Sequence, residues 1–200
     1  MAASADRGAV MRRSAAARTV VALFVFALAT SARGQEDTRV HVRIGRFHDQ
    51  QAVVRAARGV LERLGGDECR GVLRDFTDAE GRTLEQNLTG LGLSAEDYLG
   101  WVFFYDGFGQ GRCMQKGIYA ITQPGSRLVS MCGPRFTDLS AREPQVAQAV
   151  VLHEVLHTLG LQENPPSSAH ITQRVLERCY PEVLAGFGKP RRRGAPVASR

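Results

Sequence analysis

The feature that most constrains this chain is a stretch at residues 146–159 that is apolar on nearly every side of a helix. Its apolar members are Val146, Ala147, Ala149, Val150, Val151, Leu152, Val155, Leu156 and Leu159. A helix without a polar face is stable only when other elements surround it, so the rest of the fold must pack around this segment. A capping-box pattern at Ser140 and Glu143, with a stop at Gly160, predicts a helix over 144–159.

Three titratable residues interrupt this apolar helix, and they form the pattern HExxH: His153, Glu154 and His157. Residues four apart share one helix face, so both imidazoles can meet one Zn²⁺ ion. Glu154 can then take a proton from a water molecule at the metal and pass it to a leaving amine. Burying a glutamate without a partner is costly, which favours a metal site over a pair of core histidines. The sequence therefore predicts one zinc ion per chain.

Residues 153–163 resemble the active-site helix and glycine turn of the metzincin zinc metallopeptidases, whose pattern is HExxHxxGxxH/D. The resemblance implies that His153 and His157 are metal ligands and that Glu154 is the general base. It also implies that Gly160 is the turn that brings the chain back beneath the metal. The family pattern then places a third ligand three residues after that glycine.

The third ligand has three candidates. The metzincin pattern selects Glu163, where the family has His or Asp, and a glutamate oxygen can bind zinc. His170 follows in a polar stretch after two prolines. Glu177 lies 20 residues beyond His157, as in thermolysin-like enzymes, although its neighbours predict an outward-facing position on a helix. The Met-containing turn that follows the motif in metzincins has no counterpart here, because the last methionine is Met131.

The stretch from Gly160 to Cys179 also resembles uncharacterised zincin-like proteins that bacteria export. In both, HExxHxLGL leads into an Asn-Pro-Pro-Ser-Ser turn and then into a helix that ends in Arg-Cys. This resemblance implies a zincin-like fold rather than a particular substrate.

The first 34 residues predict export. Arginines precede the twelve-residue run from Thr19 to Thr30, which is apolar apart from its ends, and small residues follow it, as in a signal peptide. Twelve residues are too few to cross a bilayer, so we expect a secreted or periplasmic protein without stable membrane insertion after signal cleavage. In an oxidising compartment the four cysteines predict two disulfides, with three pairings possible among Cys69, Cys113, Cys132 and Cys179.

The net charge of +6 lies at the two ends of the chain. Residues 1–34 carry +4 and residues 187–200 carry +5, whereas residues 35–186 carry −3. A mildly acidic body argues against a nucleic-acid-binding face. We expect the basic residues 187–200 to be a disordered tail and residues 35–186 to form one domain.

The remaining pattern predicts an α+β fold: a small zincin-like domain in which helices back a sheet with an antiparallel hairpin. The elements expected are a helix over 50–64, a strand over 98–105 and a hairpin over 117–132. A substrate peptide could lie along an edge of that sheet. Three side chains are candidates for stabilising the oxyanion of a peptidase reaction, namely Tyr105, Tyr180 and His170. The other histidines, His41 and His48, are expected at the surface.

These observations predict an exported, monomeric zinc metallopeptidase that acts on a peptide or protein. The alternative is a secreted zinc protein without proteolytic activity, in which the metal stabilises the fold or supports an interaction. Asn87-Leu88-Thr89 is in addition an N-glycosylation sequon, which matters only in a eukaryotic source.

Overall fold

The computed structural model describes residues 40–187. The predicted signal peptide and residues 188–200 of the predicted tail lie outside the described residues. The strands are β1 (His41–Arg43), β2 (Phe103–Asp106), β3 (Ala120–Thr122) and β4 (Leu128–Met131). The helices are α1 (Phe47–Leu64), α2 (Asp67–Arg70), α3 (Val72–Asp75), α4 (Leu84–Leu91), α5 (Ala95–Leu99), α6 (Gly133–Arg142), α7 (Pro144–Thr158), α8 (Ser168–Cys179) and α9 (Pro181–Phe187). A 3₁₀ turn, Gly111–Met114, precedes β3.

The strands form one mixed four-stranded sheet in the order β1-β2-β4-β3. Strand β2 pairs in parallel with β1 and with β4, and β3 pairs antiparallel with β4 at the edge. The antiparallel hairpin predicted over 117–132 is thus confirmed, with Gly125 at φ 78° in its turn. The architecture is α+β, as predicted.

The strand predicted over 98–105 is wrong at its beginning. Tyr98 and Leu99 belong to α5, and β2 starts only at Phe103. Ser94 caps α5 by accepting a hydrogen bond from a backbone N–H, which favours a helical turn where the aromatic pattern alone suggested a strand. Both residues are buried, so a short helix satisfies the same apolar pattern.

The helix predicted over 144–159 is present as α7, and it is buried along its C-terminal two-thirds. It packs against α1, α6, α8 and β3. The predicted capping box is wrong, because Ser140 lies inside α6 and Glu143 makes no side-chain cap. Pro144 has no N–H to extend the hydrogen bonds of α6, so the chain breaks there and α7 begins. Surrounding elements, rather than a cap, therefore stabilise α7.

Two disulfides connect distant parts of the described chain, in agreement with the predicted number. Cys69–Cys179 joins α2 to the end of α8, and Cys113–Cys132 joins the 3₁₀ turn to the residue before α6. The first bond holds α8 against the early helices, which matters because α8 supplies a contact to the histidine pair described below. Among the described residues, no helix has the length and apolar character needed to span a membrane.

Candidate metal centre

The site centres on two imidazoles that project from the same face of α7. The Nε2 atoms of His153 and His157 lie 3.0 Å apart, and the side chains are buried, at 6% and 4% exposure. This convergence follows from the i, i+4 spacing on a helix. Two nitrogens bound to one tetrahedral zinc at 2.0–2.1 Å would be about 3.3 Å apart, so the observed spacing suits a shared zinc ion.

Each imidazole is oriented through its other nitrogen. His157 Nδ1 lies 2.7 Å from the carbonyl oxygen of Leu161, and His153 Nδ1 lies 3.0 Å from Oγ1 of Thr172 on α8. A carbonyl can only accept, so the neutral His157 ring carries its proton on Nδ1 and keeps a lone pair on Nε2. Such outer contacts fix the tautomer and the direction of a metal-binding histidine.

Burial also sets the charge of the first histidine. It lowers the pKa of His153 to about 3, and the nearby His157 acts in the same direction. The ring is therefore neutral at physiological pH, which is the form that binds metals.

The third member of the group comes from the turn that follows α7. One potential ligand atom from each of His153, His157 and Glu163 lies within 4.8 Å of the other two, and Glu163 is exposed. This group could hold a metal ion. Two imidazole nitrogens and one carboxylate oxygen form a donor set that Zn²⁺ accepts, with room for a fourth ligand. Other divalent metals that accept imidazole and carboxylate ligands suit the same donor set.

A polar cluster beneath the turn supports its first residues. Gly160 has φ 106°, and a Cβ atom there would lie 3.2 Å from Cβ of Asp78. Asn87 Nδ2 donates to Oδ2 of Asp78 at 2.9 Å and to the carbonyl of Leu159 at 3.0 Å. Asp78 also accepts hydrogen bonds from Arg82, and together these contacts hold the pKa of the Asp78 carboxyl well below its usual range despite desolvation by burial. Asp78 and the α4 residue Asn87 thereby position the end of α7.

This cluster changes the interpretation of the sequon. The Nδ2 group of Asn87 uses its two hydrogens for Asp78 and for Leu159. A glycan on that nitrogen would remove a donor, so the folded arrangement favours an unmodified asparagine.

Glu154 lies on α7 near the edge strand. It is 8% exposed, and desolvation by burial raises its pKa. Two neighbours, Thr122 and the imidazole of His157, oppose this rise in the pKa of Glu154. The Oγ1 atom of Thr122 makes no well-formed hydrogen bond among the described residues. The charge of Glu163 adds to the rise. A carboxylate with a raised pKa is a better proton acceptor at neutral pH than a solvated one.

The other candidate ligands lie elsewhere in the described structure. His170 is exposed in the first turn of α8, with its ring edge-on to Phe76 at 6.1 Å between centroids. Glu177 is exposed and accepts hydrogen bonds from Gln173 and Arg174 on its own helix. Neither residue belongs to the potential metal-binding group.

The remaining sequence candidates are also separate from the histidine pair. Tyr105 stacks on Phe103 in β2, and His41 stacks on the same ring from β1. Tyr180 is completely buried, and burial raises its pKa beyond the usual range. His41 and His48 are exposed, as predicted.

Sequence reasoning missed the residues that orient the site. Thr172 contacts a histidine 19 positions earlier, and Asn87 contacts a carbonyl 72 positions later. Asp78 and Asn87 lie in a segment that is largely polar, so nothing in the local pattern distinguishes them or names their partners.

The described residues define an α+β protein with a mixed sheet and a His, His, Glu group that could bind a metal ion. Comparison of the chain with protein families, with curated proteins and with solved structures finds no match. Any statement about function therefore depends on the chemistry of the site itself.

Proposed function

We propose that this chain is an exported zinc-dependent peptidase of zincin-like fold, with His153, His157 and Glu163 as metal ligands. The observation that carries the proposal is the pair of Nε2 atoms 3.0 Å apart, each ring anchored through Nδ1. Without a metal, one ring would carry its proton on Nε2 and donate it to the Nε2 atom of the other. A shared cation accounts for the same spacing and also explains why a glutamate oxygen is nearby.

Glu154 is the general base of the proposed reaction. Zinc, when bound, supplies a Lewis acid that polarises a substrate carbonyl and makes a water molecule acidic near neutral pH. Glu154 accepts the proton of the attacking water and passes it to the leaving amine, as its place next to the first ligand allows. Its burial supports this role because desolvation makes the carboxylate more basic.

The edge of the sheet supports a peptide as the substrate class. Strand β3 ends at Thr122 and forms an edge of the sheet, and Thr122 lies close enough to Glu154 to affect its pKa. An extended peptide added to β3 would pass its backbone beside that carboxylate. The two disulfides support export, since such bonds persist mainly in oxidising compartments.

A structural role for the metal is the second candidate, and burial is the observation that favours it. Both imidazoles and Glu154 are less than a tenth exposed, so a substrate carbonyl has little access to them in this conformation. In that case the metal would fasten the turn after α7 to the helix and would catalyse nothing.

The substitution Glu154→Gln separates the two functions. For a peptidase, the variant should keep one zinc per chain, measured by elemental analysis, and lose at least about 100-fold in hydrolysis of a casein or peptide-library substrate. Glu62→Gln, at an exposed glutamate on α1, is the matched control and should keep full activity. Full hydrolysis by Glu154→Gln would refute the mechanism. Wild-type protein that binds zinc, unfolds on chelation and hydrolyses no substrate would favour the structural role.

A further inference from the structure

A large cavity lies beside the C-terminal end of α7 rather than at the histidine pair. It has a volume of about 920 Å³, and its lining includes neither imidazole, nor Glu154, nor Glu163. Helices α4 and α5, the β3–β4 turn and the first residues after α7 enclose it. Lining residues on which the argument depends are Leu91, Tyr98, Trp101, Gly125, Arg127 and Gln162. We call this cavity the tryptophan cleft.

One wall of the tryptophan cleft is apolar and exposed. Trp101 is 45% exposed and Leu91 is 50% exposed, although both are large side chains that usually seek the core. Ligand sites combine such apolar walls in a concavity with a small number of polar groups, and they commonly have volumes of 300–1,000 Å³. The cleft therefore offers apolar area to a ligand.

The two arginines that line the cleft differ in whether a carboxylate pairs with them. Arg82 lies 2.8 Å from Asp78 and 3.5 Å from Glu80, so its charge is already neutralised. Arg127 has its guanidinium 5.4 Å from the centroid of Trp101 and makes no ion pair with any described carboxylate. Arg127 lines the cleft together with Tyr98 and Trp101. Arg127 is thus the cation available to a ligand.

A second cavity adjoins the cleft, so a ligand long enough to reach both has more surface to contact. The second cavity has a volume of about 480 Å³ and shares Asp78, Ala79 and Gln162 with the first. It reaches Pro166 and His170 on the far side of the turn. A compact small molecule would fill only one of the two cavities, whereas a peptide segment can occupy both.

We propose that the tryptophan cleft is a peptide-binding site separate from the metal centre, and that it takes an extended segment with an acidic side chain. The ligand carboxylate pairs with Arg127, and its apolar atoms cover Trp101 and Leu91. Charge-assisted pairing with arginine gives such a site its preference for acidic over basic side chains. The inference does not depend on the peptidase proposal, because binding in the cleft requires no metal ligand.

Trp101 is the only tryptophan of the chain, so its fluorescence reports directly on the cleft. Blocked alanine pentapeptides with a central Glu, Gln or Lys serve as probes, and mass spectrometry of the recovered probe checks for hydrolysis. The Glu peptide should shift or quench Trp101 emission and bind about tenfold more tightly than the Lys peptide, as expected for one charge-assisted contact. Raising the salt concentration should reduce that preference.

Substitution of Arg127 tests the assignment of the cation. Arg127→Gln should bind the Glu and Lys peptides equally, whereas Arg127→Lys should retain part of the preference. In both variants the backbone carbonyl of residue 127 still accepts the hydrogen bond from the Phe103 N–H, so the strand pairing is kept. Arg58→Gln, an exposed arginine on α1 outside the cleft, is the matched control and should behave as wild type. The inference would be overturned if Trp101 emission did not change on addition of any of the three peptides. It would also be overturned if Arg127→Gln still bound the Glu peptide more tightly than the Lys peptide. Both outcomes are independent of the result for hydrolysis.

Discussion

The two halves of the candidate metal site are built in different ways. His153 and His157 lie on a helix that other elements surround, and a second contact anchors each ring. Glu163 lies in an exposed turn of irregular structure between α7 and α8. A helix places two ligands together by its own geometry, whereas a ligand in a turn depends on what holds the ends of that turn.

The comparison predicts unequal contributions to metal binding. We call His153 and His157 the helix half and Glu163 the turn half of the site. The helix half is preorganised, so its two imidazoles lose little conformational entropy when a metal binds. Removing either imidazole should therefore weaken metal binding strongly. The turn half comes from an exposed, irregular segment that is ordered at an entropic cost, so its net contribution is smaller. Three substitutions test this difference, and their expected effects on metal binding decrease in the order given.

The largest effect is expected from the helix half. His157→Ala should reduce bound zinc from one per chain to below detection after purification, because a single imidazole and one carboxylate cannot hold the ion. Elemental analysis measures the zinc, and far-ultraviolet circular dichroism checks the fold. His41→Ala removes an exposed histidine of β1 and should keep the metal. Zinc retained at one per chain in His157→Ala would show that the ion binds elsewhere.

An intermediate effect is expected from the turn half. Glu163→Ala should weaken zinc binding by about 100-fold in competition with a chromophoric chelator, since loss of an outer-shell partner alone costs 10- to 100-fold. The free energy of unfolding of the metal-free protein should hardly change, because the side chain is exposed. Unchanged affinity here, combined with weakened binding in His170→Ala or Glu177→Ala, would transfer the third ligand to one of those residues.

The smallest effect on the metal is expected from the support beneath the turn. Asn87→Ala removes two hydrogen bonds and should lower the free energy of unfolding by about 1–2 kcal/mol, measured by urea denaturation. Zinc affinity should fall by no more than about tenfold. Thr89→Ala is the matched control, because it destroys the sequon and leaves the Asn87 contacts in place. Equal destabilisation by both variants would show that the Asn87 contacts are not what supports the turn.

Local pattern was sufficient for some elements and misleading for others. The buried helix α7, the β3–β4 hairpin and the outward position of Glu177 follow from periodicity and turn residues. The start of β2 could not be predicted in this way, because a buried aromatic residue such as Tyr98 suits a strand and a buried helix equally well. The cap predicted at Ser140 also failed, since the preceding residues form a helix of their own.

For the site, local sequence is enough to show which residues can bind a metal and that two of them share a helix face. HExxH on an apolar helix suffices for that, because residues four apart meet within one element. The fold then shows which of the three candidate third ligands lies beside His153 and His157, which groups orient the rings, and which cysteines pair. The contact of Thr172 with His153 and the disulfide of Cys69 with Cys179 join residues 19 and 110 positions apart, and packing between elements, not local periodicity, brings such residues together.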